Sequence, residues 1–264
     1  MKPHRPRKRF GQHFLTDPGV IDAIVTAINP QPGDTVVEIG PGQGAITGAL
    51  ARKAGKLHCV ELDRDLAASL RRHFGERDNV VVHEADALKF DFCSLGDTLR
   101  IVGNLPYNIS TPLLFHLIDC RDCVADMHFM LQKEVVERMT AGPGSKTYGR
   151  LGIMLGCHLE VEALFDVGPE CFDPPPAVMS AVVRLAPLGS DRRPAIDDEQ
   201  LLRRLVATAF SQRRKTLRNA LRTMLDESEL GSLGIDPGGR PETLAIADYV
   251  ALANYVSRRD GDSG

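Results

Sequence analysis

The chain has 264 residues, 43% of them hydrophobic and 25% charged, proportions that exclude a mostly disordered or collagen-like polypeptide and suffice for a core without disulfide staples. Its formal net charge of −3 hides an uneven distribution: residues 1–16 hold five Lys/Arg and no acid, residues 200–225 hold seven and no acid, and the remainder sums to −15. Two cation clusters on an otherwise acidic protein are the footprint of a polyanion-binding surface, although charge alone leaves two solvated faces equally open. The basic N-terminus runs into Gln12 and His13 instead of an apolar signal core, and no stretch reaches the ~20 apolar residues of a spanning helix. No membrane partner is expected, and the expected compartment is the cytoplasm.

From Thr35 onward short β-rich apolar runs alternate with helical spacing. Strands are predicted at Thr35 to Ile39, Leu57 to Glu61, Val80 to His83, Arg100 to Val102 and Met127 to Leu131, with helices at Ala45 to Lys53 and Asp65 to Phe74. This is the pattern of a doubly wound α/β fold with a parallel sheet. Leu159 to Val167 and Ser180 to Leu185 read as two further strands, expected to be antiparallel because the Pro-rich link is too short for a helical crossover. Pro, Gly, Ser and charge then replace the apolar pattern, which sets an expected boundary between a domain of residues 1–190 and a small all-helical domain of residues 191–264. In the latter, Leu201, Leu202, Leu205, Val206, Ala209 and Phe210 follow helical spacing. The six cysteines are expected to be reduced, and the single CxxC, Cys120 to Cys123, lacks the second pair of a four-thiolate zinc site, so no metal is expected.

The chemistry-bearing residues follow the same order. Glu38-Ile39-Gly40-Pro41-Gly42-Gln43-Gly44 sits between a predicted strand and a predicted helix, where glycines permit a tight turn and close approach to a ligand. Glu61, 17 residues beyond Gly44, ends the next strand and can accept hydrogen bonds from both ribose hydroxyls of a nucleoside. The glycines run G-x-G-x-G, which favours S-adenosylmethionine over a dinucleotide. Asp86 ends the third strand and can bind an adenine amino group. Asn104-Leu105-Pro106-Tyr107 follows the fourth strand, at the carboxyl edge where open α/β sheets hold their ligands. There the Asn104 side chain and the Pro106 carbonyl can accept the hydrogens of an aromatic amine and favour its pyramidal, nucleophilic form, with Tyr107 stacked on the base. Phe172-Asp173-Pro174-Pro175-Pro176 is a stiff loop that can hold Phe172 against the other face of an extruded base; a spacer between strands is the competing reading.

With these segments, together with Lys8 to Leu15, Gln132-Lys133-Glu134 and Phe210 to Leu217, the chain resembles the KsgA (RsmA) family of ribosomal RNA adenine dimethyltransferases over nearly its whole length. The resemblance implies a Rossmann-like class I S-adenosylmethionine-dependent methyltransferase sheet with a small C-terminal helical domain. It implies dimethylation of two adjacent adenosines in a hairpin near the 3′ end of 16S rRNA, on a pre-assembled small (30S) ribosomal subunit, by a monomer. Carried onto matching positions, it has His13, where many relatives carry Asn, and Leu15 closing over the methionine end of the cofactor, with Gly40 beneath it. Glu61 holds the ribose, Asp86 the adenine, and Asn104 lies between cofactor and target amine. The N-terminal arm and Arg213, Arg214 and Lys215, on an Arg-rich helix, are expected to grip rRNA phosphates. Two competitors are a large-subunit resistance methyltransferase and a non-catalytic RNA-binding module, the second disfavoured by an intact Asn104 to Tyr107.

Overall fold

The computed structural model describes residues 12–106 and 109–261. Its elements are β1 (Phe14–Leu15), α1 (Pro18–Ile28), β2 (Thr35–Ile39), α2 (Thr47–Lys53), β3 (Lys56–Glu61), α3 (Arg64–Phe74), β4 (Val80–Glu84), β5 (Leu99–Asn104), α4 (Ser110–Asp119), β6 (Val124–Gln132) and α5 (Lys133–Thr140). They continue with α6 (Arg150–Gly156), β7 (Leu159–Val167), β8 (Phe172–Asp173), β9 (Ser180–Pro187), α7 (Glu199–Ser211), α8 (Leu217–Ala220), α9 (Glu227–Ser232) and α10 (Ile246–Gly261).

Among the described residues a seven-stranded sheet has the order β4-β3-β2-β5-β6-β9-β7, and β1 pairs with β8 in a separate ribbon. Pairing is parallel from β4 through β6 and antiparallel between β6 and β9. Helices cover both faces of a parallel sheet, so its central strands lose their polar alternation; in β2, Val36, Val37 and Ile39 are all buried. On one face Val36, Leu57, Val102 and Met130 pack with Ile24 and Ile28 of α1 and Leu50 of α2. Some of the helices begin where a side chain satisfies a free N–H group. Asp17 accepts from Val20 N–H at the start of α1, and Asp63 from Asp65 N–H at the start of α3. In the last turn of α3, Arg71, Arg72 and His73 face the negative end of the helix dipole.

The chain forms two compact units, one of Met1–Val136 and Val161–Pro187, the other of Glu137–Glu160 and Leu188–Gly264. The boundary expected at 190/191 therefore needs correction: the C-terminal switch falls at 187/188, and residues 137–160 belong with the helices. Burial explains this, because Ile153, Met154 and Leu155 of α6 are fully buried. Gly156 also lies so close to α10 that a Cβ there would come within 2.5 Å of Ile246 Cδ1. A linear scan of composition cannot assign an apolar helix to a partner about 90 residues downstream.

Two of the six cysteines also depart from expectation: Cys93 and Cys123 form a disulfide, while Cys59, Cys120, Cys157 and Cys171 are free thiols. Parallel pairing is the cause. Cys93 precedes β5 and Cys123 immediately precedes β6, and the two strands enter the sheet side by side at Leu99 and Val124.

Candidate functional site

Parallel pairing sends β2, β3, β4 and β5 out of the sheet at one edge, and the residues that follow them face a single cavity of about 360 Å³. Gly40, Gly42 and Gly44 all have positive φ, at 64°, 59° and 84°, a region that L side chains rarely enter. A Cβ on Gly42 would also meet the Phe14 ring at 3.1 Å, so the turn requires glycine for both reasons. Gly103 answers a different demand: β5 passes β2 so closely that a Cβ would stand 2.5 Å from the Ile39 carbonyl oxygen.

Glu61 ties this turn to the end of β3. Its side chain is buried, Oε2 accepts the Gly42 N–H at 3.1 Å and Oε1 accepts the Asp63 N–H at 2.8 Å. Burial raises its pKa, and those N–H donors oppose the rise. Glu38, at the start of the glycine motif and not foreseen as a site residue, also lines the cavity and is 1% exposed. Its Oε2 accepts from the Thr47 hydroxyl at 2.7 Å. Burial pushes Glu38 up to about 7, with the Thr47 hydrogen bond opposing and the Glu61 charge adding to the shift. Its one trace in the sequence is a carboxylate in an otherwise apolar strand, too weak a signal to assign it without its neighbours.

Asp86 lies half-buried beyond β4 and lines the same cavity, its Oδ1 accepting the Leu88 N–H at 3.0 Å. Asn104, at the end of β5, donates from Nδ2 to the His13 carbonyl at 3.1 Å, which leaves Oδ1 as the acceptor of that side chain. Leu105 is buried, and its N–H donates to the Met130 carbonyl at 3.1 Å. Pro106 lines the cavity, and its carbonyl accepts the Ile109 N–H, which leaves one lone pair for another donor. Tyr107 lies outside the described residues, as do Lys8 to Gly11 and most of the N-terminal arm.

His13 and Leu15 reach the cavity from the β1–β8 ribbon, in which Phe14 opposes Asp173 and Leu15 opposes Phe172. His13 Nδ1 is 2.8 Å from the Pro174 carbonyl, an acceptor only, so Nδ1 carries the proton. The expectation for Phe172 needs correction. The residue is 5% exposed and sits in the apolar core with Leu15 and Ile24, so it packs the ribbon onto the sheet and offers no open face to a base.

The predicted cation cluster is divided too. Arg213, Arg214 and Lys215 occupy the turn between α7 and α8, not a helix. Arg214 and Lys215 are exposed, while Arg213 donates to the Ser145 carbonyl at 3.1 Å and lies 3.7 Å from the Glu242 carboxylate. Among the described residues, no group of three or more His, Cys, Asp or Glu side chains is arranged to hold a metal ion.

Comparison with known proteins gives concordant matches. A family model described as ribosomal RNA adenine dimethylase matches residues 3–258. The chain is 57% identical over 259 residues to ribosomal RNA small subunit methyltransferase A of Aromatoleum aromaticum, covering 98% of this chain and 97% of the relative. It is 58% identical over 256 residues to the protein of the same name in Thiobacillus denitrificans, covering 97% and 100%. Among solved structures, a dimethyladenosine transferase from Plasmodium falciparum is similar with a TM-score of 0.82 and 27% identity, over 94% of this chain and 98% of that one.

Proposed function

This chain belongs to the ribosomal RNA adenine dimethylase family, and from that premise we infer that it is an S-adenosylmethionine-dependent enzyme that dimethylates adenosine N6 in small-subunit (16S) rRNA. The observation that carries the reading to these residues is the convergence of Gly40, Glu61, Asp86 and Asn104 on one cavity. The residues fit the cofactor: a bare glycine backbone lies beside a buried carboxylate at the end of β3, with a second carboxylate beyond β4. When bound, S-adenosylmethionine supplies an electrophilic methyl group on a sulfonium.

Glu61 accepts hydrogen bonds from the ribose, and Asp86 accepts one from the adenine amino group. Gly40, His13 and Leu15, which line the same cavity, would hold the methionine end. Asn104 Oδ1 and the Pro106 carbonyl accept the two N6 hydrogens of the target adenosine, and two acceptors draw that nitrogen from its planar, conjugated form toward a pyramidal one. No strong base would be needed, because the target amine would become cationic on methylation and its proton could leave afterwards. Leu105, locked between Asn104 and Pro106 by burial and by its N–H bond to Met130, holds the two acceptors in place, and Tyr107 stacks on the flipped base. Phe172 acts as a positioning residue, anchoring the ribbon that carries His13.

The substrate is the 16S rRNA hairpin near the 3′ end, within the small (30S) subunit or its precursor, bound by a monomer through Arg214, Lys215 and the N-terminal arm. No helix of the described residues is long and apolar enough to cross a membrane, and a ribosomal substrate puts the activity in the cytoplasm. The names carried by the two bacterial relatives favour the small subunit over the large one.

The test is transfer of labelled methyl from S-adenosylmethionine to purified small subunits lacking the modification and, in parallel, to purified large subunits, followed by nucleoside analysis. N6,N6-dimethyladenosine near the 3′ end of the 16S rRNA is the expected product. Methyl appearing only on large-subunit rRNA, or none despite bound cofactor, would overturn the assignment.

A further inference from the structure

Beyond the groups assigned to the adenosine, the cavity continues to His128 on β6. Its side chain is 1% exposed, and neither Nδ1 nor Nε2 has a hydrogen-bond partner. The Asp126 carboxylate stands off at 3.9 Å from Nδ1, too far for a hydrogen bond. Apolar Phe129, Met130 and Val182 line the same cavity. An unpaired polar group in such surroundings is destabilising, and an apolar side chain of similar size would suit the core better. Burial keeps the ring neutral, with Arg100 and Arg184 reinforcing that and Asp126 opposing it. A neutral imidazole presents one donor and one acceptor.

The strand order gives this pair an address. Asp86 follows β4, Glu61 ends β3, the glycine turn follows β2 and Asn104 ends β5, so the groups facing the ligand step across the sheet in the order of its strands. β6 is the next strand, with His128 opposite Val102 and Met130 opposite Asn104. At about 4.8 Å per strand, β6 is roughly 14 Å from β3, beyond the adenosine and on the side of the amino-acid tail. That tail ends in an ammonium and a carboxylate, which complement one acceptor and one donor.

We propose that His128 is a further cofactor-binding residue, hydrogen-bonded directly or through one water to the amino-acid end of S-adenosylmethionine. The inference rests on the cofactor reading given above. It is tested by calorimetry with two ligands that share the adenosine and differ in the tail, S-adenosylhomocysteine and 5′-methylthioadenosine. His128→Leu and the bulkier His128→Phe are expected to weaken S-adenosylhomocysteine about tenfold, the loss of one hydrogen bond, while 5′-methylthioadenosine changes less than about twofold. Both variants should melt no lower than wild type, since they remove an unpaired buried group. His128→Gln, which keeps a donor and an acceptor, should recover part of the affinity.

Equal loss of both ligands, or an unchanged Kd for S-adenosylhomocysteine, would overturn the proposal. Wild-type protein that binds neither ligand would instead remove the cofactor reading, and this inference with it. If the Leu variant does not fold, the Phe variant carries the same comparison.

Discussion

Asn104 shows how a single side chain is committed before any substrate arrives. Its Nδ2 is held by the His13 carbonyl at 3.1 Å, so the amide cannot flip without losing that bond, and Oδ1 is kept as an acceptor. Asn104→Ala is therefore expected to lower kcat by at least about 100-fold, the scale of a lost charge-stabilising group, while rRNA binding changes little; single-turnover methylation and filter binding on the same preparation check both halves. Asn104→Asp also presents an acceptor oxygen but loses the donor to His13, so it separates the two roles. Asn104, Glu61, Asp86 and the glycine turn were legible as residues because their chemistry depends on type and spacing. Glu38 and His128 were not, because an isolated polar residue within an apolar strand reads as an accident until its neighbours are known.

At the scale of elements, the opposite end of the sheet is held by a partly buried charge network. Arg100 on β5 makes a two-pronged contact with Asp126 on β6, at 3.0 and 2.8 Å. It also bonds Asp34 at 2.8 Å before β2 and the Ile28 and Asn29 carbonyls at the end of α1. Arg100→Leu would leave the Asp126 carboxylate buried and unpaired, at an expected cost of about 3 kcal/mol in urea unfolding. Arg100→Lys should recover little of it, because an ammonium cannot reproduce the planar fork. His58 on β3 and His83 on β4 stack with Nδ1 and Nε2 2.9 Å apart. Burial lowers His58 to about 4, with His83 and Lys56 adding to the shift. The unfolded chain, titrating near 6.5, therefore binds more protons between pH 6.5 and 4. This contribution is complete above pH 6.5 and is lost as the pH falls toward 4, amounting to about 2 kcal/mol by pH 5. Urea midpoints between pH 7.5 and 5 should fall accordingly, and His58→Leu should flatten the slope.

At the scale of the whole molecule, the members of the second cation cluster serve different ends. Arg213 is spent within the helical unit on Ser145 and Glu242, whereas Arg214 and Lys215 are exposed. Replacing Arg214 and Lys215 with Ala is expected to weaken binding to small subunits and to reduce the slope of log K against log salt by roughly 1 to 2, as fewer counterions are released. Arg213→Ala should instead lower the melting temperature and leave that slope nearly unchanged. Titration of binding at several salt concentrations separates the two, and an unaltered slope in the double variant would make those residues plain surface.

The amino-acid sequence alone determined the parallel strands, the glycine turn and the place of Glu61, Asp86 and Asn104 at one edge of the sheet, since local periodicity marks each strand and the parallel fold sends every strand end to that edge. Only the tertiary structure decided which unit claims residues 137–160, that Cys93 meets Cys123, that Phe172 is buried, and that Arg213 differs from its neighbours. Each of those depends on contacts between segments far apart in the chain. Spacing along one strand or helix carries no record of which distant surface will cover it, whereas burial, the quantity that separates a packed ring from a stacking one and a tethered arginine from a free one, exists only once that surface has arrived.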